Sequence, residues 1–240
     1  MQIHIISLFP QEVEAFAGVG VVGRALQNGK LELRVWNPRR HTSDVHASVD
    51  DRPYGGGPGM VMCVEPLRKT IAEVKSLAPK GSPVIYMSPA GCRFDQQQAV
   101  QMAQLPGMIL VAGRYEGIDE RLIVHDIDIE LSIGDYVLSG GELPALAVMD
   151  AVARLIPGVL GDEESALQDS FMQGALDYPH YTRPAEIDGQ KVPEVLLSGD
   201  HQAIAEWRKQ QALQRTQQRR PDLLEKNDCS EAGNKNAVKK

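Results

Sequence analysis

The 240-residue sequence lacks the features that mark membrane, secreted and disulfide-stabilised proteins. It contains no apolar run near the roughly 20 residues that a membrane-spanning helix needs. It starts directly on a strand pattern, so we expect no secretory signal. Its three cysteines, Cys63, Cys92 and Cys229, form no C-x-x-C pair, which is typical of a reducing cytosol and gives no metal signature. We therefore expect a cytoplasmic protein without a cysteine-based metal site.

The sequence also lacks the complete glycine motifs of nucleotide-binding proteins. Residues 55–59 (GGGPG) resemble a phosphate-binding loop, but no Lys followed by Ser or Thr completes the motif. We interpret this stretch as a mobile lid, because glycine allows close approach to a ligand. No predicted strand is followed by G-x-G-x-x-G. That absence disfavours a nicotinamide oxidoreductase, the function that the composition alone would suggest first.

What the sequence does contain is an alternation of strand and helix patterns through residues 1–160. This alternation is typical of an α/β domain with a mostly parallel sheet covered on both faces. From Ile129 to Leu155 the pattern predicts the end of a strand, a glycine-containing loop and an apolar helix that starts near Glu142. A helix this apolar is expected to be covered on most sides, by its own sheet and by a second subunit.

The last third of the sequence has a different character. Residues 161–174 are acidic and polar without periodicity, which predicts a flexible linker. Residues 175–240 predict a small helical domain, with Asp200 as the N-cap of its main helix and a polar tail at its end. The net charge is −7, yet residues 201–240 carry nine Lys and Arg against five Asp and Glu. This local positive charge permits phosphate contacts with a nucleic acid.

Three loops each follow a predicted strand: residues 88–91 (SPAG), 113–117 (GRYEG) and 133–141 (IGDYVLSGG). In parallel α/β sheets, ligands bind where loops leave the carboxyl ends of the strands. We therefore expect the three loops to form one small-molecule pocket, closed by the apolar helix that follows the third loop.

Six segments of the sequence, taken in order, carry a resemblance to a known family. They are GPGMV, SPAG, GRYEGIDER, SIGDYVLSGGELPALAVMDAVARLIPGVLG, DSF..G.LDYPHYTRP and WR…RT..RRPDLL. Together they resemble the bacterial tRNA (guanine-N1)-methyltransferases, the TrmD-type members of the SPOUT superfamily. The resemblance extends to about Leu224, and the tail from Asp228 to Lys240 departs from the family pattern.

The resemblance implies more about the fold than the residue patterns do. It implies an α/β domain over residues 1–160 with a deep trefoil knot, the linker, and a tRNA-binding domain over residues 175–240. Threaded chains are rare, so the patterns alone gave no reason to expect a knot. It also implies a homodimer with active sites at the subunit interface. The implied reaction transfers a methyl group from S-adenosyl-L-methionine to N1 of guanine 37 in tRNA, beside the anticodon, and depends on Mg²⁺.

The resemblance assigns the methyl donor to the three loops, where turns expose backbone groups. The implied donor-binding residues are Pro89, Gly113, Ile133, Gly134, Tyr136, Leu138, Gly140, Gly141 and Pro144. The alternative for these glycines and prolines is that they only form the turns.

The resemblance assigns catalytic roles to three residues, Asp169, Arg154 and Glu116. Asp169 is the implied general base that removes the N1 proton of guanine, whereas the residue alone would be interpreted as a solvated linker charge. Since a free Asp has a pKa of about 3.9, this role requires desolvation or deprotonation concerted with methyl transfer. Arg154 fits the negative charge that grows on guanine O6. Its alternative is an ion pair with Asp150, four positions earlier on the helix.

The remaining implied residues contact the donor or the RNA. Glu116 approaches the donor's amino group, its sulfonium or Mg²⁺, and the alternative is a structural role. Arg114 and Tyr115 are candidates for contacts with guanine or with a loop. Arg219 and Arg220 belong to a basic region that contacts phosphates, and the alternative is a solvated helix face. A second hypothesis for the whole chain is an RNA-binding protein that has kept the fold without the activity.

Overall fold

The computed structural model of the chain describes residues 1–161, 166 and 168–224. The chain divides into two compact units, Met1–Glu163 and Glu164–Lys240. Within the described residues, no helix combines the length and the apolar character needed to cross a bilayer. The tail whose sequence departs from the family pattern, residues 228–240, lies outside the described part.

The first unit is built on a five-stranded sheet whose strands alternate with helices. Its elements are β1 (Gln2–Ile6), α1 (Pro10–Ala17), α2 (Gly20–Gln27), β2 (Glu32–Trp36), a 3-10 helix (Pro38–His41), β3 (Asp50–Asp51), β4 (Val61–Met62), α3 (Val64–Leu77), β5 (Val84–Arg93), α4 (Gln96–Met102), β6 (Gly107–Val111), α5 (Glu120–Asp126), β7 (Ile129–Ser132) and α6 (Glu142–Ala153). The sheet order is β2-β1-β6-β5-β7, and every neighbouring pair is parallel. The predicted α/β fold with a mostly parallel sheet is therefore confirmed.

The sheet separates two hydrophobic cores, because successive side chains of a strand point to opposite faces. In the central strand β6, Met108 and Leu110 belong to the core that includes α1, α2, α4 and α6. Ile109 and Val111 belong to the core that includes α3 and α5. A strand buried on both faces is an unbroken apolar run, as MILV is here. The two cores together hold the carboxyl ends of the central strands in place.

Strand β5 extends further than the sequence predicts. The sequence predicts a short strand that ends before the turn at 88–91. In the structure, residues 85–87 pair with β7, and the pairing with β7 resumes at Cys92 and Arg93. Gly91 makes this return possible, because a Cβ there would collide with the backbone of β7. Residues 88–91 are therefore looped out between two paired segments of a single strand.

Helix α6 begins at Glu142, as predicted, and eight of its 12 residues are buried. Leu143, Ala147 and Asp150 lie on its exposed side. Glu142 is buried although it carries a charge, with 7% of its surface exposed. The helix therefore brings one carboxylate into the interior at its first turn, which the sequence analysis did not anticipate. Its predicted coverage by a second subunit stays a prediction.

The second unit is smaller and mostly helical. Its elements are β8 (Glu186–Ile187), β9 (Gln190–Lys191), α7 (Glu194–Leu197), α8 (His201–Arg219) and a 3-10 helix (Pro221–Leu223). Asp200 caps α8, as predicted, since its carboxylate accepts from the backbone N–H groups of Gln202 and Ala203 at 3.0 and 3.1 Å. In the described part of this unit, no apolar side chain is fully buried, whereas Thr216 is.

Part of the predicted linker 161–174 lies outside the described residues. The part beyond it forms turns, in which Met172 N–H donates to the Asp169 carbonyl and Gly174 N–H donates to the Phe171 carbonyl, both at 3.3 Å. The predicted flexibility of this segment stays a prediction.

Candidate functional site

A cavity of about 200 Å³ lies at the carboxyl ends of β6 and β7 and beside residues 86–89 of β5. Because these parallel strands are neighbours, the loop at 88–91 within β5 and the loops that follow β6 and β7 meet at one edge of the sheet. The first residues of α6 complete the wall. All nine residues that the family resemblance assigns to the methyl donor line this cavity: Pro89, Gly113, Ile133, Gly134, Tyr136, Leu138, Gly140, Gly141 and Pro144. The structure brings them together, and their role in binding stays a prediction.

Close backbone approaches shape the cavity wall. A Cβ on Gly113 would lie 2.8 Å from the Tyr86 ring, and one on Gly141 would lie 2.7 Å from the Cα of Ala112. The Gly141 N–H also donates to the Gly113 carbonyl at 2.8 Å. These glycines are therefore required for packing, because a side chain at either position would collide with its neighbours.

Tyr86 is a cavity residue that sequence reasoning missed. It is the third residue of the buried strand β5, and its ring packs against Gly113. Burial raises the pKa of its hydroxyl, and a hydrogen bond with the backbone of Ile118 acts in the opposite direction. The signal in the sequence was a tyrosine in an otherwise apolar strand, since a buried hydroxyl requires a partner.

A buried polar cluster lies next to the cavity wall. The carboxylate of Glu142 accepts from the Ser7 hydroxyl at 2.8 Å and from Arg114 Nε at 2.9 Å. Ser7 follows β1, Arg114 follows β6, and Glu142 is the first residue of α6. The cluster therefore ties two strand ends to the start of the helix. Sequence reasoning missed Ser7 and Glu142, because their partnership spans 135 positions of the chain.

Arg114, a predicted substrate-binding residue, lines the cavity but already has several partners. Besides Glu142, its guanidinium donates from Nη1 to the Ser139 carbonyl at 3.3 Å. Its Cζ lies 4.4 Å from the centroid of the Phe9 ring. Arg114 thus positions the loop that contains Gly140, whatever further contact it makes with a substrate.

Tyr115 and Glu116, which follow Arg114, also line the cavity. Tyr115 has a φ of 61°, an uncommon backbone conformation for a bulky residue. Its pKa is raised by burial and by a side-chain hydrogen bond with Asp50. Glu116 N–H donates to the Met60 carbonyl at 2.9 Å, and its carboxyl group packs against Gly59. The 113–117 loop is therefore joined to the end of the GGGPG stretch.

The described residues contain no group of three or more His, Cys, Asp or Glu side chains that could hold a metal ion. Among the described residues that line the cavity, Glu116 is the one with a carboxylate. A Mg²⁺ ion bound here would need further oxygens from the donor or the RNA.

Arg154 and Asp169, two of the three predicted catalytic residues, lie in different units. Arg154 is half-buried immediately after the last residue of α6 and is not part of the cavity lining. A cation at a helix C-terminus is favourable to the helix dipole. Asp169 is half-buried in the second unit. Their roles in catalysis stay predictions.

Arg219 and Arg220 end the long helix α8 of the second unit. Arg219 is exposed on a shallow surface that Arg215 and three glutamines share. Arg220 has partners of its own: its Nη2 donates to Asp222 at 2.7 Å, and its Cζ lies 5.9 Å from the Phe171 ring centroid. The two residues therefore differ in how free they are to contact a phosphate.

Comparisons with known proteins agree with this geometry. The family described as tRNA (Guanine-1)-methyltransferase TrmD matches residues 1–226. The chain is 62% identical over 224 residues to a tRNA (guanine-N(1)-)-methyltransferase of Methylococcus capsulatus, covering 93% of this chain and 89% of that protein. It is 59% identical over 222 residues to the protein of that name from Pseudoalteromonas translucida, covering 92% and 87%. For the Shewanella denitrificans protein of the same name, identity is 57% over 225 residues, covering 94% and 91%.

Proposed function

Because the chain belongs to the tRNA (Guanine-1)-methyltransferase TrmD family, we propose that it methylates N1 of guanine 37 in tRNA, using S-adenosyl-L-methionine. The membership that six sequence segments predicted is confirmed. The names of the relatives support the reaction on a tRNA guanine. The observation that carries the proposal is the cavity at the strand ends, where the nine implied donor-binding residues converge.

The cavity fits an adenosyl donor in its chemistry. Gly134 and Gly140 bring loop backbone close to the cavity, and backbone groups can recognise a purine edge without long side chains. Pro89, Ile133 and Leu138 offer apolar contact to the rest of the molecule. When bound, the donor supplies an electrophilic methyl group on its sulfonium. The protein's part is to orient that methyl group toward the RNA and to exclude water.

Asp169 is the proposed general base. Guanine N1 carries a proton, so the ring nitrogen becomes a nucleophile only as that proton leaves. In the proposed step, N1 would form a bond to the methyl carbon as the donor's carbon–sulfur bond breaks, with the electron pair left on sulfur as a neutral thioether. The N1 proton would move to a carboxylate oxygen of Asp169. Since the ordinary carboxyl pKa is about 3.9, the transfer requires desolvation of Asp169 or concert with methyl transfer.

Arg154 is the proposed electrostatic partner of guanine O6. As N1 loses its proton, negative charge spreads to O6, and a fixed guanidinium stabilises that charge in the transition state. The rigid helix α6 supports this role, because it holds the backbone of Arg154 in a defined place.

Glu116 is proposed to approach the donor's amino group, its sulfonium or a Mg²⁺ ion. Its position on the cavity wall supports this proposal. Tyr115 and Arg114 are proposed to shape the entry of guanine, Arg114 mainly through the loop that it holds. Arg219 and Arg220 are proposed to contact tRNA phosphates.

Family membership also supports the proposal of a trefoil knot of the SPOUT type, a homodimer with sites at the subunit interface, and a place in the cytoplasm. Exposed apolar side chains on the first unit, such as Phe16 and Leu143, supply a surface for a second copy.

The experiment is transfer of a radiolabelled methyl group to unmodified tRNA, followed by mapping of the labelled nucleotide. We expect the wild-type protein to label N1 of guanine 37. Asp169→Asn is expected to lower turnover by about 10²-fold or more while donor affinity, measured by calorimetry, is kept. Asp188→Asn, in the same unit, is the matched control. An active Asp169→Asn variant would remove this residue from the role.

Arg154→Ala tests the second role. Loss of one preorganised donor to a developing oxyanion is expected to lower kcat by about 10²–10³-fold. Donor affinity is expected to stay the same, and Arg24→Ala on α2 is the control. A normal rate would leave Arg154 with the helix-stabilising role alone. If the wild-type protein binds tRNA but transfers no label, the chain is an RNA-binding protein that has kept the fold.

A further inference from the structure

The second unit contains a cavity of about 450 Å³ to which the proposed reaction assigns no role. Its walls come from the segment Tyr178–Arg183, from α7 and from α8. Both aromatic rings and guanidinium groups line it. They belong to Tyr178, His180, Tyr181, Trp207, Arg183 and Arg208.

The aromatic rings form two groups that differ in how they are packed. The Arg208 Cζ lies 4.7 Å from the Tyr178 ring centroid, and the centroid of the His180 ring lies 4.8 Å from it, with the ring planes tilted by 50°. The centroids of Tyr181 and Trp207 are 6.3 Å apart, and their planes are tilted by 54°. A guanidinium therefore already covers part of Tyr178, whereas no cation of the described residues lies over Tyr181 or Trp207.

The cations beside these rings are available. Neither Arg183 nor Arg208 has an ion-pair or hydrogen-bond partner in the described part of the chain, and both are exposed. Arginines of the first unit such as Arg68 and Arg121 are instead paired with carboxylates. An exposed guanidinium without a carboxylate is suited to a phosphate.

In the described residues of this unit, nothing covers these rings completely. These residues include no fully buried apolar side chain, so the aromatic walls remain in contact with water. Covering them with a planar ligand would remove apolar surface from water, and the two guanidinium groups favour an anionic ligand. An unpaired nucleotide has both properties, since its base stacks on aromatic rings and its phosphate pairs with arginine.

We propose that this cavity binds one unpaired nucleotide of the RNA substrate other than the methylated guanine. The base lies against Tyr181 and Trp207, and the adjoining phosphate contacts Arg183 and Arg208. The inference rests on the proposed function, because it takes tRNA as the substrate. The cavity would thereby anchor the RNA at a second point, separate from the strand-end cavity of the first unit.

The test asks whether the loss of affinity on removing the Trp207 ring depends on one particular base of the tRNA. A set of tRNA transcripts is prepared, each with one unpaired nucleotide made abasic, and the dissociation constant is measured at fixed salt for wild type and for Trp207→Leu. We expect Trp207→Leu to weaken binding of intact tRNA on the order of tenfold. We also expect one abasic transcript to lose the same factor with wild type and to lose nothing further with Trp207→Leu. Trp207→Phe, which keeps a ring, should recover most of the affinity.

Controls separate this outcome from misfolding and from other occupants. Leu213→Ala, an exposed position of α8 outside the cavity lining, should bind every transcript as wild type does. Circular dichroism should show the same helix content in all variants. Equal affinity of Trp207→Leu and wild type, or additive losses at every abasic position, would overturn the proposal. A changed oligomer mass for Trp207→Leu with unchanged tRNA affinity would assign the cavity to a second copy and would also overturn it.

Methyl transfer to intact tRNA is measured in parallel. If the wild type transfers methyl groups but no base couples to Trp207, this inference fails and the proposed function stands. If the wild type transfers none, the proposed function fails, and the coupling experiment still reports on RNA binding by the cavity.

Discussion

The two units of the chain are stabilised in different ways. Every fully buried apolar side chain of the described residues lies between Ile3 and Val159, in the first unit. The second unit buries Thr216, whose hydroxyl donates to the Ala212 carbonyl at 2.7 Å and accepts from the Leu176 N–H at 2.9 Å. The first unit therefore rests on packed cores, and the second depends more on hydrogen bonds and half-buried contacts. The difference suits a preformed small-molecule cavity in the first unit and an open surface with exposed arginines in the second.

The largest expected effect comes from removing a core side chain. Leu110→Ala, in the centre of β6, should lower the free energy of unfolding of the first unit by about 2–5 kcal/mol. Ile204→Ala, at a half-buried position of α8, should cost the second unit much less, because its side chain never leaves water completely. Denaturant titration can follow the units separately, since Trp36 lies in the first and Trp207 in the second. Equal losses in both variants would show that the second unit has a core of its own.

A smaller effect is expected from the polar contacts of the two units. Glu142→Gln keeps the shape of the side chain but removes the charge that Arg114 and Ser7 share, and should cost about 1–3 kcal/mol. Donor affinity, measured by calorimetry, should fall with it, because Arg114 also holds the loop that lines the cavity.

The matched change in the second unit is Asp222→Asn, at an exposed pair with Arg220. Solvent screens such pairs, so the unfolding midpoint reported by Trp207 should not move. If Asp222→Asn shifted that midpoint while Glu142→Gln left the unfolding midpoint reported by Trp36 unchanged, the contrast between the units would be reversed.

The smallest effect concerns pH and one histidine of the first unit. His4 is buried on β1, and its Nδ1 accepts from Trp36 Nε1 at 3.1 Å. Burial lowers its pKa below 6.5, the Arg34 charge lowers it further, and the Glu32 charge acts against them. The unfolded chain therefore binds a proton at His4 more readily than the folded chain does. The contribution of His4 to the free energy of unfolding is complete above pH 6.5 and declines as the pH falls below it.

His4→Asn keeps an acceptor for Trp36 and removes the titrating ring. The unfolding midpoint of the wild type, followed by Trp36 fluorescence, should decrease between pH 7 and the folded pKa more steeply than that of His4→Asn. Parallel curves over this range would show that His4 does not contribute to the pH dependence.

Much of the first unit could be predicted from the sequence, because its signals are local. Strand and helix periodicity and the start of α6 depend on residues close in the chain, as does the Asp200 cap of α8 in the second unit. The convergence of the three loops followed from the rule that parallel strands share a carboxyl edge.

What could not be predicted depends on contacts between distant residues. The second pairing of β5 with β7 after residues 88–91 depends on the strand register, which the hydrophobic periodicity of the sequence does not reveal. The inward turn of Glu142 depends on Ser7 and Arg114, which reach it only in the fold. The aromatic cavity of the second unit was missed because its residues come from a loop and two helices and follow no period.

The loop at residues 88–91 has a consequence for how a ligand is received. Hydrogen bonds to β7 hold the chain on both sides of this loop. The distance between the two ends of the loop is therefore fixed once the sheet has formed. Amide hydrogens before and after the loop should exchange with solvent together, at the slow rate of the sheet interior. A ligand that binds beside Pro89 therefore contacts a loop that is already ordered, and its affinity is not reduced by the entropy cost of ordering that loop.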